Sequence, residues 1–260
     1  MSEERKHAIL SASSAHRWLY CTPSARLEEK IPDEGSTYAE EGTLAHSLAE
    51  LELRKRFEKL PIATYKKRLK EIQGSPLYSP DMPEHVGIYV DLVEERYNQA
   101  KADCSDAILH IEVRVDFSEY VPDGFGTADT VIIADKTLEV IDFKYGTGVP
   151  VEAEGNDQMM LYGLGAYGEY SMFYDIQIVR MTICQPRLDS ITTAEIMVDD
   201  LLAWATDIVQ PRATLAYKGE GEFRPSVKAC LFCRARYTCR ARYEDALEIA
   251  KYEFRDPELL

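Results

Sequence analysis

The segment Leu138–Gly148, LEVIDFKYGTG, sets an acid and a base two residues apart, Asp142 and Lys144, behind the apolar pair Val140 and Ile141. Side chains alternate along a strand, so Asp142 and Lys144 share a face while Phe143 turns into packing. Charge delivered at the end of a buried strand is costly unless it is paired or bound. The preceding run, GFGTADTV, supplies Asp129. The turn around Asp135 and Lys136 lies about midway between Asp129 and Asp142, so an antiparallel hairpin sets the two roughly opposite. Carboxylates that close repel, and one takes up a proton unless a cation lies between them. A hard divalent cation, Mg²⁺ or Mn²⁺, resolves that conflict. Lys144 is then placed to orient a water or to offset charge in a transition state. The plainer alternative is a cross-strand ion pair on a solvated face.

The elements that position these residues follow from period and punctuation. A serine-rich start suggests a short helix near Trp18 and Cys21. Thr37 to Phe57 carries Leu44, Leu48 and Leu51 at helical spacing. Pro76, Pro80 and Pro83 mark Gln73 to Glu84 as a loop, and a helix of roughly His85 to Lys101 follows. The period then changes to two: AILHIEVRVDF from Ala107, TADTVIIAD and LEVIDF read as three strands. GNDQMMLYGLGAYGEY reads as a helix weakened by Gly163, Gly165 and Gly168, and two further strands follow. The stretch DDLLAWATDIVQPRATLAYKG is a helix expected to break or kink at Pro211, and a last helix spans Ala241 to Phe254. The expected architecture is α/β, a central mixed sheet flanked by helices. It is read as one domain over 1–260, with a helical part over 11–105, a sheet core over 106–200 and a C-terminal helical part with the cysteines over 201–260.

The chain has 260 residues, 45% of them hydrophobic, and a net charge of −15. That balance opposes general affinity for nucleic acid, although one groove can carry a field unlike the total. Arg224 to Arg242 is a locally basic window, with Arg224, Lys228, Arg234, Arg236, Arg240 and Arg242 and no acid. No apolar run reaches transmembrane length, and MSEERKHAIL has no apolar leader core. The expected location is the cytoplasm.

Six cysteines are present, and ACLFCRARYTCRAR spaces three as Cys230-x2-Cys233-x5-Cys239. In a cytosolic chain such clusters are more often metal ligands than disulfides. Three thiolates are one short of a tetrahedral or cluster site. Cys184 lies in an apolar strand and reads as a small buried hydrophobe. Cys104 sits in a polar loop with no near partner, which leaves Cys21 as the best fourth ligand.

GTAD followed by VIDFKYG resembles the core of the PD-(D/E)XK nuclease superfamily, in its RecB-type branch. That branch carries a His on an N-terminal helix and Gln-x-x-x-Tyr on the helix after the Lys. GTLAHSLAE supplies His46, and QMMLYG supplies Gln158 and Tyr162. The strict Pro-Asp of the superfamily is replaced by TAD. The cysteine layout resembles the iron–sulfur-stapled members, the AddB-type helicase–nuclease subunits and the CRISPR-associated adaptation exonucleases. The stretch from Asp142 to Ala166 also looks like a bacteriophage and prophage family of unknown function. The resemblance implies a restriction-endonuclease-like αβββαβ core joined at its two helical ends by a metal or cluster site. It implies a catalytic set of Asp129, Asp142, Lys144, His46, Gln158 and Tyr162. Metal would be held by His46, Asp129, Asp142 and the backbone carbonyl of Phe143. A structural [4Fe-4S] cluster would be held by Cys21, Cys230, Cys233 and Cys239, with zinc as the alternative.

Each outlying residue has a plainer role available. His46 can pair with Glu50, four residues on, and Gln158 and Tyr162 can be ordinary helix-face filler. Glu112 is left outside the site, because Arg114 on the same face offers it an ion pair. The leading expectation is a divalent-metal-dependent DNA exonuclease of phage replication or recombination in a bacterial host, with DNA and a phage recombination or replication protein as expected partners and no membrane. Its rivals are a non-catalytic nuclease-like DNA-binding or assembly module and a zinc-stapled interaction domain.

Overall fold

The structure is a computed structural model that describes residues 8–33 and 35–254. The charged leader stretch 1–7 lies outside the described residues. Short helices α1 (Ala15–Trp18) and α2 (Ser24–Glu29) precede the long α3 (Thr37–Phe57), α4 (Ile62–Gln73) and α5 (Met82–Asp103). Strands β1 (Ile108–Asp116), β2 (Phe125–Ile133) and β3 (Lys136–Phe143) come next, then α6 (Asp157–Tyr170), β4 (Ile176–Gln185) and β5 (Ser190–Met197). The chain closes with α7 (Val198–Trp204), α8 (Gln210–Lys218), α9 (Val227–Cys230) and α10 (Arg240–Glu253). These elements form two compact units, one of 35–117 and Phe125–Ala203, the other of 8–33, Ser118–Gly124 and 204–254.

The first of these units is the expected mixed sheet flanked by helices. Its strand order is β1-β2-β3-β4-β5. β1–β2, β2–β3 and β4–β5 pair antiparallel, and β3–β4 pair parallel. The parallel pair needs a crossover, which α6 supplies. The hairpin turn before β3 uses Lys136 at φ 70°, and Ala134 N–H closes on the Thr137 carbonyl at 3.2 Å. Ile111, Ile132, Ile141 and Phe143 pack on Leu48 and Leu51 of α3 and on Val86, Tyr89, Val90 and Val93 of α5. Ser36 caps α3 by accepting from Ala39 N–H at 3.1 Å, and Asn156 caps α6 by accepting from Gln158 and Met159 N–H.

Two expectations change here. α4 has no counterpart in the sequence reading, although Tyr65, Leu69 and Ile72 recur at helical spacing and pack on the core beside α3. The glycines of α6 are not simple weaknesses. A Cβ on Gly163 would stand 2.5 Å from Val179 Cγ1, so this glycine lets the helix lie close on β4, whereas Gly168 has nothing within 4 Å.

The second unit ties chain segments far apart in sequence. Thr22 Oγ1 donates to the Glu220 carbonyl at 2.6 Å, Arg26 Nε to the Tyr217 carbonyl at 2.6 Å, and Arg212 to the Leu19 carbonyl at 2.8 Å. Glu28, only 5% exposed, accepts from Arg17 Nε at 2.7 Å and from Arg234 N–H at 2.8 Å. The break expected at Pro211 takes the form of a π turn, Ala205–Val209, with Pro211 in the first turn of α8, where its missing N–H matters least.

Gly163→Ala is expected to lower stability by about 1–3 kcal/mol in urea denaturation, because Val179 is stiff at χ1 and must move. Val179→Ala in the same chain should recover part of that loss. Gly168→Ala should instead stabilise by about 0.4–1 kcal/mol.

Candidate functional site

The hairpin register fixes the centre of the site. Thr130 pairs with Ile141, so the next position outward sets Asp129 beside Asp142. Asp129 Oδ2 accepts Phe143 N–H at 2.7 Å, which locks that carboxylate onto the end of β3. Phe143 is fully buried, stacked on Tyr89 with centroids 4.8 Å apart and tilted against His46 at 5.3 Å. The apolar face of β3 therefore holds the strand end rigid while the opposite face presents charge.

His46 comes from the middle of α3 and sets Nδ1 3.2 Å from Asp129 Oδ1. Its expected partner Glu50 is taken elsewhere, by Arg54 Nε and Arg68 Nη2, each at 2.7 Å. Lys144 Nζ lies 2.9 Å from Asp142 Oδ2 and donates to Gln158 Oε1 at 3.2 Å. Gln158 Nε2 in turn donates to Asp142 Oδ1 at 3.1 Å and to Tyr162 Oη at 3.2 Å. Gln158 and Tyr162, one turn apart on α6, thus reach the strand charges together. Tyr162 gets there because Gly126 has no side chain: a Cβ on Gly126 would fall 2.6 Å from the tyrosine ring. All six side chains of the anticipated set meet at one place.

Glu112 was left out on sequence grounds, and the structure brings it in. Its carboxylate, the His46 ring nitrogen and the Asp129 carboxylate all lie within 4.8 Å of one another, which makes this trio the one potential metal-holding group of that tightness among the described residues. Arg114 does not pair with it; its guanidinium lies 3.7 Å above the Phe125 ring. Glu112 has φ 51°, a left-handed conformation in the middle of β1. Pairing with β2 is interrupted there and resumes in the same register, Ile111–Thr130 on one side and Val113–Ala128 on the other. A non-glycine residue held so costs of order 1–3 kcal/mol, and such strain gathers at working sites. No sequence pattern announces it.

The charges shift one another strongly. Burial works to lower the pKa of His46, but the Asp129 charge and hydrogen bond, aided by Asp142, outweigh it and raise the value to about 9. Burial followed by the nearby Asp129 charge raises Glu112 to about 7. Asp129 is lowered despite its burial, by the His46 charge and hydrogen bond. Asp142 is raised by burial and by Asp129, against the pull of Lys144. Lys144 is raised because Asp142 and Asp129 outweigh its burial, so it stays an ammonium. Asp142 Oδ2 is buried and, beyond the Lys144 ion pair, has no hydrogen-bond partner. The set His46, Glu112, Asp129 and Asp142 is an imidazole among carboxylates with one buried oxygen lacking a hydrogen bond, a donor chemistry that suits Mg²⁺ or Mn²⁺.

In the other unit, Cys21, Cys230, Cys233 and Cys239 line one small pocket, partly open to solvent, with Leu27, Phe223 and Arg236. Burial, then the neighbouring Cys239 and Cys230, raise the Cys21 thiol against the pull of Arg224 N–H, which reaches its sulfur at 3.4 Å. Burial raises Cys233 to about 11. Cys184 is fully buried. Cys104 does have partners: its thiol donates to Asp106 Oδ1 at 2.9 Å and accepts from Asp135 N–H at 3.4 Å.

The His46 shift has a measurable sign. A histidine whose folded pKa is raised contributes stability that is fully present below about 6.5 and is lost as pH rises through about 9. In metal-free protein the His46 ring is expected to stay protonated past neutrality by NMR titration. In Asp129→Asn its midpoint should fall, because the Asp129 charge no longer offsets the effect of burial and the weaker pull of Asp142 remains.

No described helix is long and apolar enough to cross a membrane. Among solved structures the chain is similar to a protein of Eubacterium rectale provisionally described as an exonuclease, at 14% identity over 92% of this chain and 93% of that one, with a TM-score of 0.47. It is also similar to the protein SSO0001, at 18% identity over 77% of this chain and 96% of that one, with a TM-score of 0.34. A family model described as a protein of unknown function, DUF2800, matches residues 7–260. With a match over nearly its whole length, the chain belongs to the DUF2800 family.

Proposed function

We propose that the chain is a divalent-metal-dependent deoxyribonuclease, an exonuclease acting on DNA ends, that hydrolyses phosphodiester bonds. The observation that carries this reading is the meeting of Asp129, Asp142, Lys144, His46, Gln158 and Tyr162, joined by Glu112, beside the paired ends of β2 and β3. His46, Glu112, Asp129 and Asp142, with the Phe143 carbonyl, would hold Mg²⁺ or Mn²⁺, which when bound supplies Lewis acidity and an activated water. Lys144, kept protonated, is a fixed cation for the charge that develops on the phosphoryl oxygens. Gln158 holds Lys144 and Asp142 in place and aligns Tyr162 to contact the DNA strand. A role in phage replication or recombination, in the cytoplasm of a bacterial host and with a recombination protein as partner, accords with the family resemblance.

We also propose that the four-cysteine cavity takes a [4Fe-4S] cluster with a structural role. What supports this reading is that Cys21 lines the same pocket as Cys230, Cys233 and Cys239, the four residues that the family resemblance singles out.

Linear and closed circular DNA incubated with Mg²⁺ or Mn²⁺ test the activity. Cleavage of linear DNA is expected, reduced at least about 10²-fold in Asp142→Ala and Lys144→Ala. No hydrolysis of either form, or unchanged hydrolysis in both variants, would sink the catalytic claim, and DNA binding without cleavage would favour a non-catalytic module. Glu112→Gln is expected to weaken Mn²⁺ binding measured by EPR, a readout that does not need turnover. Anaerobically purified protein should be brown, with iron and sulfide in near-equal amounts and the colour lost in Cys239→Ser; stoichiometric zinc instead would make the staple a zinc site.

A further inference from the structure

The arginines of the basic window expected from sequence are largely spent on their own neighbourhood. Arg224 and Arg240 pair with Glu222 and Glu244. Arg236 and Arg242 donate to the backbone carbonyls of Leu231 and Arg236. Positive charge is concentrated instead at 54–70, where eight Lys and Arg stand against one acid, Glu58, in a chain of net charge −15.

This segment divides by face. Arg54 and Arg68 turn inward to Glu50, Tyr65 Oη donates to Glu52 at 2.5 Å, and Leu69 and Ile72 pack on the core. Arg56 is held by Asp91 and Glu94. Lys59, Lys66, Lys67 and Lys70 face solvent. Lys59, Lys66 and Lys70 form no ion pair with a described residue, and Lys67 reaches Glu71 only at 4.0 Å, with both side chains more than half exposed. Lys66 with Lys70 and Lys67 with Lys70 are like charges at helical spacing, each costing a few tenths of a kcal/mol. Helix stability does not explain that arrangement. The face also has a fixed relation to the site: Arg68 anchors α4 on Glu50, four residues along α3 from His46, a rise of about 6 Å.

We propose that Lys66, Lys67 and Lys70, with Lys59 ahead of them, form a docking surface for the sugar–phosphate backbone of DNA. The surface deepens the nuclease reading and names where the substrate rests outside the reacting centre. Lysines bind phosphates as point charges without reading sequence, so the contact is general rather than sequence-specific.

Two measurements on the full chain test it. The first is fluorescence anisotropy of a short blunt DNA duplex in EDTA over a KCl series, for wild type, Lys66→Glu/Lys67→Glu/Lys70→Glu and the milder triple Gln variant, with helicity checked by circular dichroism. Wild type should bind with a steep salt dependence. The triple Glu variant should bind at least 10-fold more weakly, with a log–log salt slope shallower by about 2–3, and the Gln variant should fall between. The second is cleavage with Mn²⁺, where the lysine variants should raise KM and keep kcat. Binding and KM unchanged in both lysine variants would overturn the surface while leaving the nuclease standing. Lysine-dependent binding without any cleavage would overturn the nuclease and leave the surface. Failure of wild type to bind DNA, or displacement of DNA by polyglutamate at equal charge, would overturn the surface.

Discussion

Two carboxylates buried side by side govern the sheet unit. The β2–β3 register places Asp129 next to Asp142, and neither has water enough to screen the other. Every neighbour can be understood as an answer to that repulsion. His46 brings a proton to Asp129, Phe143 gives its N–H to the same group, and Lys144 sits on Asp142. Gln158 bridges Asp142 and Lys144. Helices α3 and α6 are positioned on either side of the strand ends, and the stack of Phe143 on Tyr89 keeps those ends from moving apart. At Asp142 Oδ2 that compensation is the Lys144 ion pair alone, with no hydrogen bond beside it.

Glu112 adds a third acid to the same neighbourhood at the cost of a strained backbone. Burial and Asp129 hold its carboxyl near pKa 7, so it is partly protonated at neutrality, which limits the repulsion. Protons on His46 and Glu112 therefore offset part of the negative charge, together with Lys144. Elsewhere in the unit the positive charge of α4 is kept on an outward face, while the arginines that touch the core are matched one by one to Glu50 and to Asp91 with Glu94. Acid at the centre and lysine on the flank accord with the proposed DNA substrate, whose phosphates the lysines would attract and the acids repel.

The four-cysteine cavity follows a different logic. Its cysteines come from segments far apart in sequence, and Glu28 holds those segments together by accepting from Arg17 and from the backbone of Arg234, between Cys233 and Cys239. The proposed cluster would fasten a unit made of short helices, which have few turns over which to bury an apolar stripe.

Local pattern alone was enough for the strands, for the alternation that puts Asp142 and Lys144 on one face, for the hairpin that brings Asp129 near, and for Gln158 and Tyr162 sharing a helix face, because periods of two and 3.6 are properties of the backbone itself. The Cys230-x2-Cys233-x5-Cys239 spacing was legible for the same reason. Tertiary structure decided the rest. Glu112 and Arg114 looked like partners at strand spacing, but the left-handed turn of one residue sent Glu112 to His46 and gave Arg114 the face of Phe125. His46 and Glu50 were one helical turn apart, yet Asp129 and Arg68 claimed them from other elements. The basic window at the C-terminus was visible as composition, but only packing revealed that its arginines are occupied and that the lysines of α4 are not. Partner choice among charges depends on which side chains the fold brings within a few ångströms, and a one-dimensional spacing carries no such distance.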